Sequence, residues 1–171
     1  MSGPGIVLEN DKILKIWDWT QNDIKRLFSV FSKTEPENPT NGFAIFLVCV
    51  MDIWGSIFRD QFGDEDYGHC NNNIKVILER LYAYKAANYP DFSSGIPSSI
   101  VKTLRHNLVH QYGLSHYKTG FDADHLNIDF DGDQPAINQQ ASNNRWHIDC
   151  GKLKDDLLAV IEEWLKSKGL I

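Results

Sequence analysis

The sequence predicts a mainly α fold: a bundle of four to five helices with a small antiparallel β insertion before the C-terminal helix. Two observations predict it. Apolar residues recur at three- and four-residue spacing through most of the chain, which is the period of a helix with one buried face. Between residues 114 and 150 that period lapses, and two short runs alternate apolar and polar residues in the manner of strands. A chain of 171 residues, 42% of them hydrophobic, is long enough to bury a core of its own, so residues 1–171 are read as a single domain with 114–150 as its β-containing insertion.

The elements follow in order. Residues 1–10 read as a loose start. In residues 12–33 the apolar positions Ile13, Ile16, Trp17, Ile24, Leu27, Phe28 and Phe31 keep helical spacing. Thr20, with Asp23 three residues on, resembles a helix N-cap, so this segment is open to division into two pieces. TEPENPTNG, residues 34–42, is a loop by its prolines, asparagines and glycine. Residues 43–60 are apolar nearly all round, as in a helix at the centre of a bundle, and Cys49 is expected in the core. QFGDEDYGHCNNN, residues 61–73, reads as a polar loop, and residues 74–88 as a third helix with Ile74, Ile77, Leu78 and Leu81 along one stripe. YPDFSSGIPSS is a linker. Pro97 suits the first turn of a fourth helix, which runs to about Tyr112 and is stopped by Gly113.

HLNIDF (125–130) and RWHIDC (145–150) alternate, and Asp131-Gly132 is a turn signal. Two or three short strands in an antiparallel hairpin or meander are expected there. In the second run, one of Trp146 and His147 should face the core and the other water. Leu153, Leu157, Leu158, Ile161, Trp164 and Leu165 then mark an amphipathic last helix.

Charge and cysteine usage narrow the function. The net charge of -6 argues against a broad polybasic surface for nucleic acid, while leaving room for a small local site. Three cysteines with no C-x-x-C pair argue against a disulfide framework or a cysteine zinc site. The start MSGPGIVLENDK lacks the pattern of a signal peptide, and the run FAIFLVCVM is short of the roughly 20 apolar residues that span a bilayer. No membrane association and a cytoplasmic location are expected.

The chemistry concentrates in KTLRHNLVHQY, residues 102–112. Ile100, Leu104 and Leu108 lie four apart and form the apolar stripe of the fourth helix. At about 100° per residue, His106 and His110 share a face away from that stripe. Arg105 lies toward the edge of that face, and Tyr112 returns to nearly the arginine's side. The polar cluster therefore faces solvent, a partner subunit or a ligand.

A His-x-x-x-His pair on one face can hold zinc, but the metalloprotease form needs a glutamate where Asn107 stands. A third ligand would have to come from His116, His125 or an aspartate of the insertion, and no metal or cofactor is expected. DFDGD, residues 129–133, alternates Asp129, Asp131 and Asp133 like a calcium loop. It then departs from that loop, with Gln134 at the glycine position and Gln140 at the bidentate glutamate position, and reads as a turn with solvated carboxylates. Glycine-rich phosphate loops and the G-x-S-x-G elbow are absent.

An arginine and a histidine on one exposed helix face suit phosphodiester chemistry. Arginine holds phosphate oxygens in a fork, and histidine, with an ordinary pKa of about 6.5, moves protons near neutrality. Arg105, four intervening residues and His110 resemble the Arg-x(4–6)-His motif of the HEPN superfamily. His106 stands at the polar position after the arginine, and Tyr112 resembles the Arg-x4-His-x-Tyr form of some toxin members.

The resemblance implies a helical bundle with the motif on a late helix and a metal-independent endoribonuclease, in some members a toxin or defence component. It implies a homodimer through the motif-bearing helix, with Arg105 holding phosphate, His110 in proton transfer or charge stabilisation and His106 and Asn107 as supporting polar residues. RNA is the implied substrate. An antitoxin or nucleotidyltransferase partner is implied as well, with Tyr112 as the residue such an enzyme would modify. Two other readings stand beside this one: a non-catalytic dimeric interaction or nucleotide-binding module on the same fold, and a merely solvated helix face.

Overall fold

The computed structural model describes residues 8–32, 41–61, 69–105, 126–130, 132–140 and 145–171. Five helices run through these residues: α1 (Asn10–Phe31), α2 (Asn41–Phe58), α3 (His69–Tyr84), α4 (Ser98–Lys102) and α5 (Cys150–Ser167). Two short 3₁₀ turns, Ala86–Asn88 and Pro90–Phe92, join α3 to α4. Three strands, β1 (Leu126–Asp129), β2 (Ile137–Gln140) and β3 (Arg145–Asp149), precede α5. The chain is thus mostly helical with a small sheet before its last helix, as the sequence pattern implies.

α1 is one continuous helix, not two pieces. Thr20 does not cap a break. It is buried, and its Oγ1 accepts a bond of 3.0 Å from the indole nitrogen of Trp54. A buried indole N–H needs such an acceptor, and this one ties α1 to α2 across the core. Trp17 and Trp164 meet Trp54 edge-on at 6.0 and 6.4 Å, so tryptophans from α1, α2 and α5 interlock.

α2 packs against α1, α3 and α5. Phe43, Leu47, Met51 and Trp54 are fully buried. One stripe nevertheless turns outward, at Cys49, Asp52, Ile53 and Ser56. Cys49 is therefore exposed and not a core residue. Its place in an apolar run was misleading, because positions spaced by three and four from Asp52 and Ile53 share their face. Gly55 lies where α2 and α3 approach most closely: a Cβ there would stand 2.2 Å from the carbonyl oxygen of Asn73. α3 begins at His69, earlier than the polar composition of residues 61–73 suggests. Asn73 is in fact buried against α2, with partners for its amide in Asp52 of that helix and Arg59 just past its end.

The segment after α3 is more ordered than a linker. Tyr89 and Phe92 are buried and stack at 5.7 Å. Asp156 of α5, also buried, accepts from Asn88 Nδ2 at 2.6 Å and from the Tyr89 hydroxyl at 3.0 Å, with Lys85 Nζ at 3.6 Å. That carboxylate moors the turn to the last helix.

The sheet corrects the antiparallel expectation. Its order is β1-β3-β2; β1 pairs parallel with β3 and β2 pairs antiparallel with it. The chain leaving β1 does not fold straight back beside it. Lys152 Nζ holds the carbonyl oxygens of Gly132, at 2.6 Å, and of Gln134, fixing this stretch at the start of α5. The chain then returns as β2 on the far side, and β3 enters between the two. β3 is flanked by a strand at each edge, and Trp146 to Asp149 are all buried, so both Trp146 and His147 lie inside where alternation alone would put one in water. Phe130, just past β1, packs on Phe28 and Phe43 at 5.9 and 5.8 Å and joins the sheet to the helical core.

Candidate functional site

Of the residues of the Arg–His motif, Arg105 is the one whose surroundings are described. His106, Asn107, His110 and Tyr112 lie outside the described residues, as do His116 and His125. α4 starts after Pro97, whose extended backbone suits the position before a helix. It buries Ile100 and Val101, and Leu104 just past its end is buried as well. Thr103, Leu104 and Arg105 follow in a wider, π-helical turn, a local geometry that recurs at functional positions. The turn carries Arg105 to a half-buried place over the start of α3.

There the guanidinium Nη1 donates to Asn71 Oδ1 at 3.4 Å, a long bond to a neutral acceptor. Among the described residues no carboxylate pairs with it. Beside it runs a polar chain between α2 and α3. Arg59 Nη1 donates to Asn73 Oδ1 at 2.8 Å, and Asn73 Nδ2 donates to Asp52 Oδ1 at 2.8 Å. The Cys70 thiol also bonds to Asp52. Burial first, then the Asp52 charge, pushes that thiol up to about 12, while Arg105 acts in the opposite direction. Cys70 thus feels both the carboxylate and the guanidinium, and it stays a neutral thiol at physiological pH.

A second polar cluster lies on the sheet. His147 and Asp149 alternate on β3 and share a face. Asn138 stands across from His147, and Asp129 across from Asp149. Asp149 caps α5, its Oδ1 accepting from the Lys152 amide at 2.9 Å, and its Oδ2 stands 3.5 Å from Lys152 Nζ. That second contact is an ion pair longer than a hydrogen bond, so Oδ2 has no hydrogen-bond partner. The same holds for His147 Nδ1 and Asn138 Oδ1.

Burial lowers the His147 pKa, opposed by Asp129, Asp149 and a bond to the Pro135 carbonyl, with Lys152 adding to the lowering. The neutral ring therefore donates to Pro135 and leaves a lone pair on Nδ1. Among the described residues, no three histidine, cysteine, aspartate or glutamate groups converge to hold a metal. In the calcium-like stretch, Asp129 Oδ1 accepts from the Phe130 amide at 2.7 Å, and Asp131 lies outside the described residues.

The sequence did not single out Asn71, Asn138, Asp149 or Lys152. The signals were small: three asparagines opening α3, and an aspartate three residues before Lys152 at a strand-to-helix junction. Among the described residues no helix is long and apolar enough to cross a membrane. No family model, curated protein or solved structure matches the chain.

Proposed function

We propose that this chain is a metal-independent endoribonuclease of HEPN type, acting as a homodimer through the motif-bearing helix. The observation that carries the reading is Arg105: a half-buried guanidinium at the end of α4, bonded to a neutral amide and paired with no described carboxylate. Such a cation retains its charge for an anion, and its fork suits phosphate oxygens. The Arg105–His110 spacing and the mostly helical architecture support the same reading.

In this mechanism the 2′-hydroxyl of the substrate loses its proton and attacks the adjacent phosphorus. The bond from phosphorus to the 5′-oxygen breaks, and that oxygen leaves with a proton. The products are a 2′,3′-cyclic phosphate and a 5′-hydroxyl. Arg105 holds the phosphate and steadies the charge that builds on it. His110 moves a proton, and His106 and Asn107 support it. A toxin or defence role, with a nucleotidyltransferase partner acting on Tyr112, belongs to this proposal.

The test is cleavage of a pool of RNAs by purified protein in the presence of a chelator, beside Arg105→Ala and His110→Ala. Cutting that survives the chelator and vanishes in both variants supports the reading. An inactive wild type, or equal cutting by wild type and variants, overturns it.

A further inference from the structure

Arg105 is bonded to a neutral amide, and Asp52 and Arg105 act in opposite directions on the Cys70 thiol. An arginine next to an unengaged carboxylate closes into a two-pronged ion pair. Asp52 takes other donors: Asn73 donates to its Oδ1 at 2.8 Å, and the Cys70 thiol bonds to the same group. The guanidinium is left to Asn71, at 3.4 Å.

The identity of residue 71 runs against local helix preference. It lies in the opening turn of α3, where the exposed backbone N–H groups favour a negative charge. That turn holds no acidic residue. Asn71 has the shape of an aspartate and the same acceptor oxygen, without the charge. An aspartate there would suit the helix and would neutralise Arg105.

We propose that Asn71 is a positioning residue: it fixes the Arg105 guanidinium at the end of α4 without cancelling its charge, which keeps the arginine available to an RNA phosphate. The inference rests on the ribonuclease reading.

The experiment measures binding of a single-stranded 2′-O-methyl RNA, which cannot be cleaved, by fluorescence anisotropy over a range of salt concentrations. The full chain is compared with Arg105→Ala, Asn71→Asp and Asn72→Asp, each checked for an unchanged melting profile. Asn72 is exposed and shares the turn, so its variant adds the same charge away from the guanidinium.

One phosphate contact on a single strand contributes about 0.7 to the slope of log affinity against log salt. Arg105→Ala is expected to lower the slope by about that amount. Asn71→Asp should lower it equally, with Asn72→Asp close to wild type. A wild-type slope in Asn71→Asp, or equal effects of the two aspartates, overturns the positioning role. A wild-type slope in Arg105→Ala removes the phosphate anchor, and the ribonuclease reading falls with it.

Discussion

Replacing Gly55 by alanine adds one methyl group at the closest approach of α2 and α3. An ideal Cβ would lie 2.2 Å from the carbonyl oxygen of Asn73, 2.5 Å from its carbonyl carbon and 2.7 Å from its Cα. All three are backbone atoms of a helix, so no side chain can swing aside. Ordinary carbon–oxygen approach is about 3.3 Å or more. The helices must therefore part locally by about 1 Å, which loosens buried Trp54 and strains the bonds of Asn73 to Asp52 and Arg59.

Overpacking of this kind costs about 1–3 kcal/mol, and here the obstacle is rigid, so the upper end applies. Alanine returns about 1 kcal/mol through helix propensity. A net loss of about 2 kcal/mol follows, or about 4–8 °C in melting temperature for a chain of this size. Urea denaturation of wild type, Gly55→Ala and Gly55→Ser measures it, with serine at least as harmful. An alanine variant as stable as wild type would refute the reasoning, because propensity would then have outweighed the contact.

Two further predictions concern stability. The His147 pKa is lowered in the folded protein, so the unfolded chain binds the proton more readily. Stability linked to this group is complete above the ordinary histidine value of 6.5 and declines as pH falls below it, by at most about 1.4 kcal/mol per pH unit. The stability gap between wild type and His147→Gln should therefore shift between pH 7.5 and pH 5, and a gap that stays constant contradicts the assignment. Asp156→Ala leaves the buried Tyr89 hydroxyl without its acceptor and removes the Lys85 and Asn88 contacts. A loss of about 3 kcal/mol is expected, largely restored in Asp156→Asn, which keeps an acceptor. Equal denaturation midpoints for the two variants would show that Asp156 is not the mooring.

Local periodicity carried the helices. The stripes at Ile13, Trp17 and Ile24, at Ile74, Ile77 and Leu81, and at Leu153, Leu157 and Ile161 are all buried. What failed were readings that needed a neighbour from elsewhere in the chain. Thr20 resembles a cap until Trp54 reaches it from 34 residues away. Residues 69–73 resemble a loop by composition, yet Asn73 finds amide partners in Asp52 on α2 and Arg59 just past it. RWHIDC resembles a half-exposed strand, because alternation describes a sheet with one wet face, whereas successive residues of β3, Trp146 to Asp149, are all buried. Strand order depends on contacts such as Lys152 with Gly132, twenty residues apart, and no local pattern encodes them.

The candidate site divides in the same way. Arg105 is legible because it lies within a short linear spacing with His110 on a helix whose apolar stripe, at Ile100 and Leu104, is buried as expected. Its partner is not legible there, because that is a residue 34 positions away: Asn71 accepts from the guanidinium. A motif names which side chains could meet a phosphate. Whether the arginine arrives with a free charge is decided by what the neighbouring helices place beside it. At this position they place an amide next to the guanidinium, while Asp52 accepts from Asn73. That arrangement links the packing of α2 on α3, closed at Gly55, to the electrostatics at the end of α4. A substitution at the helix crossing should therefore be felt at the arginine as well as in stability.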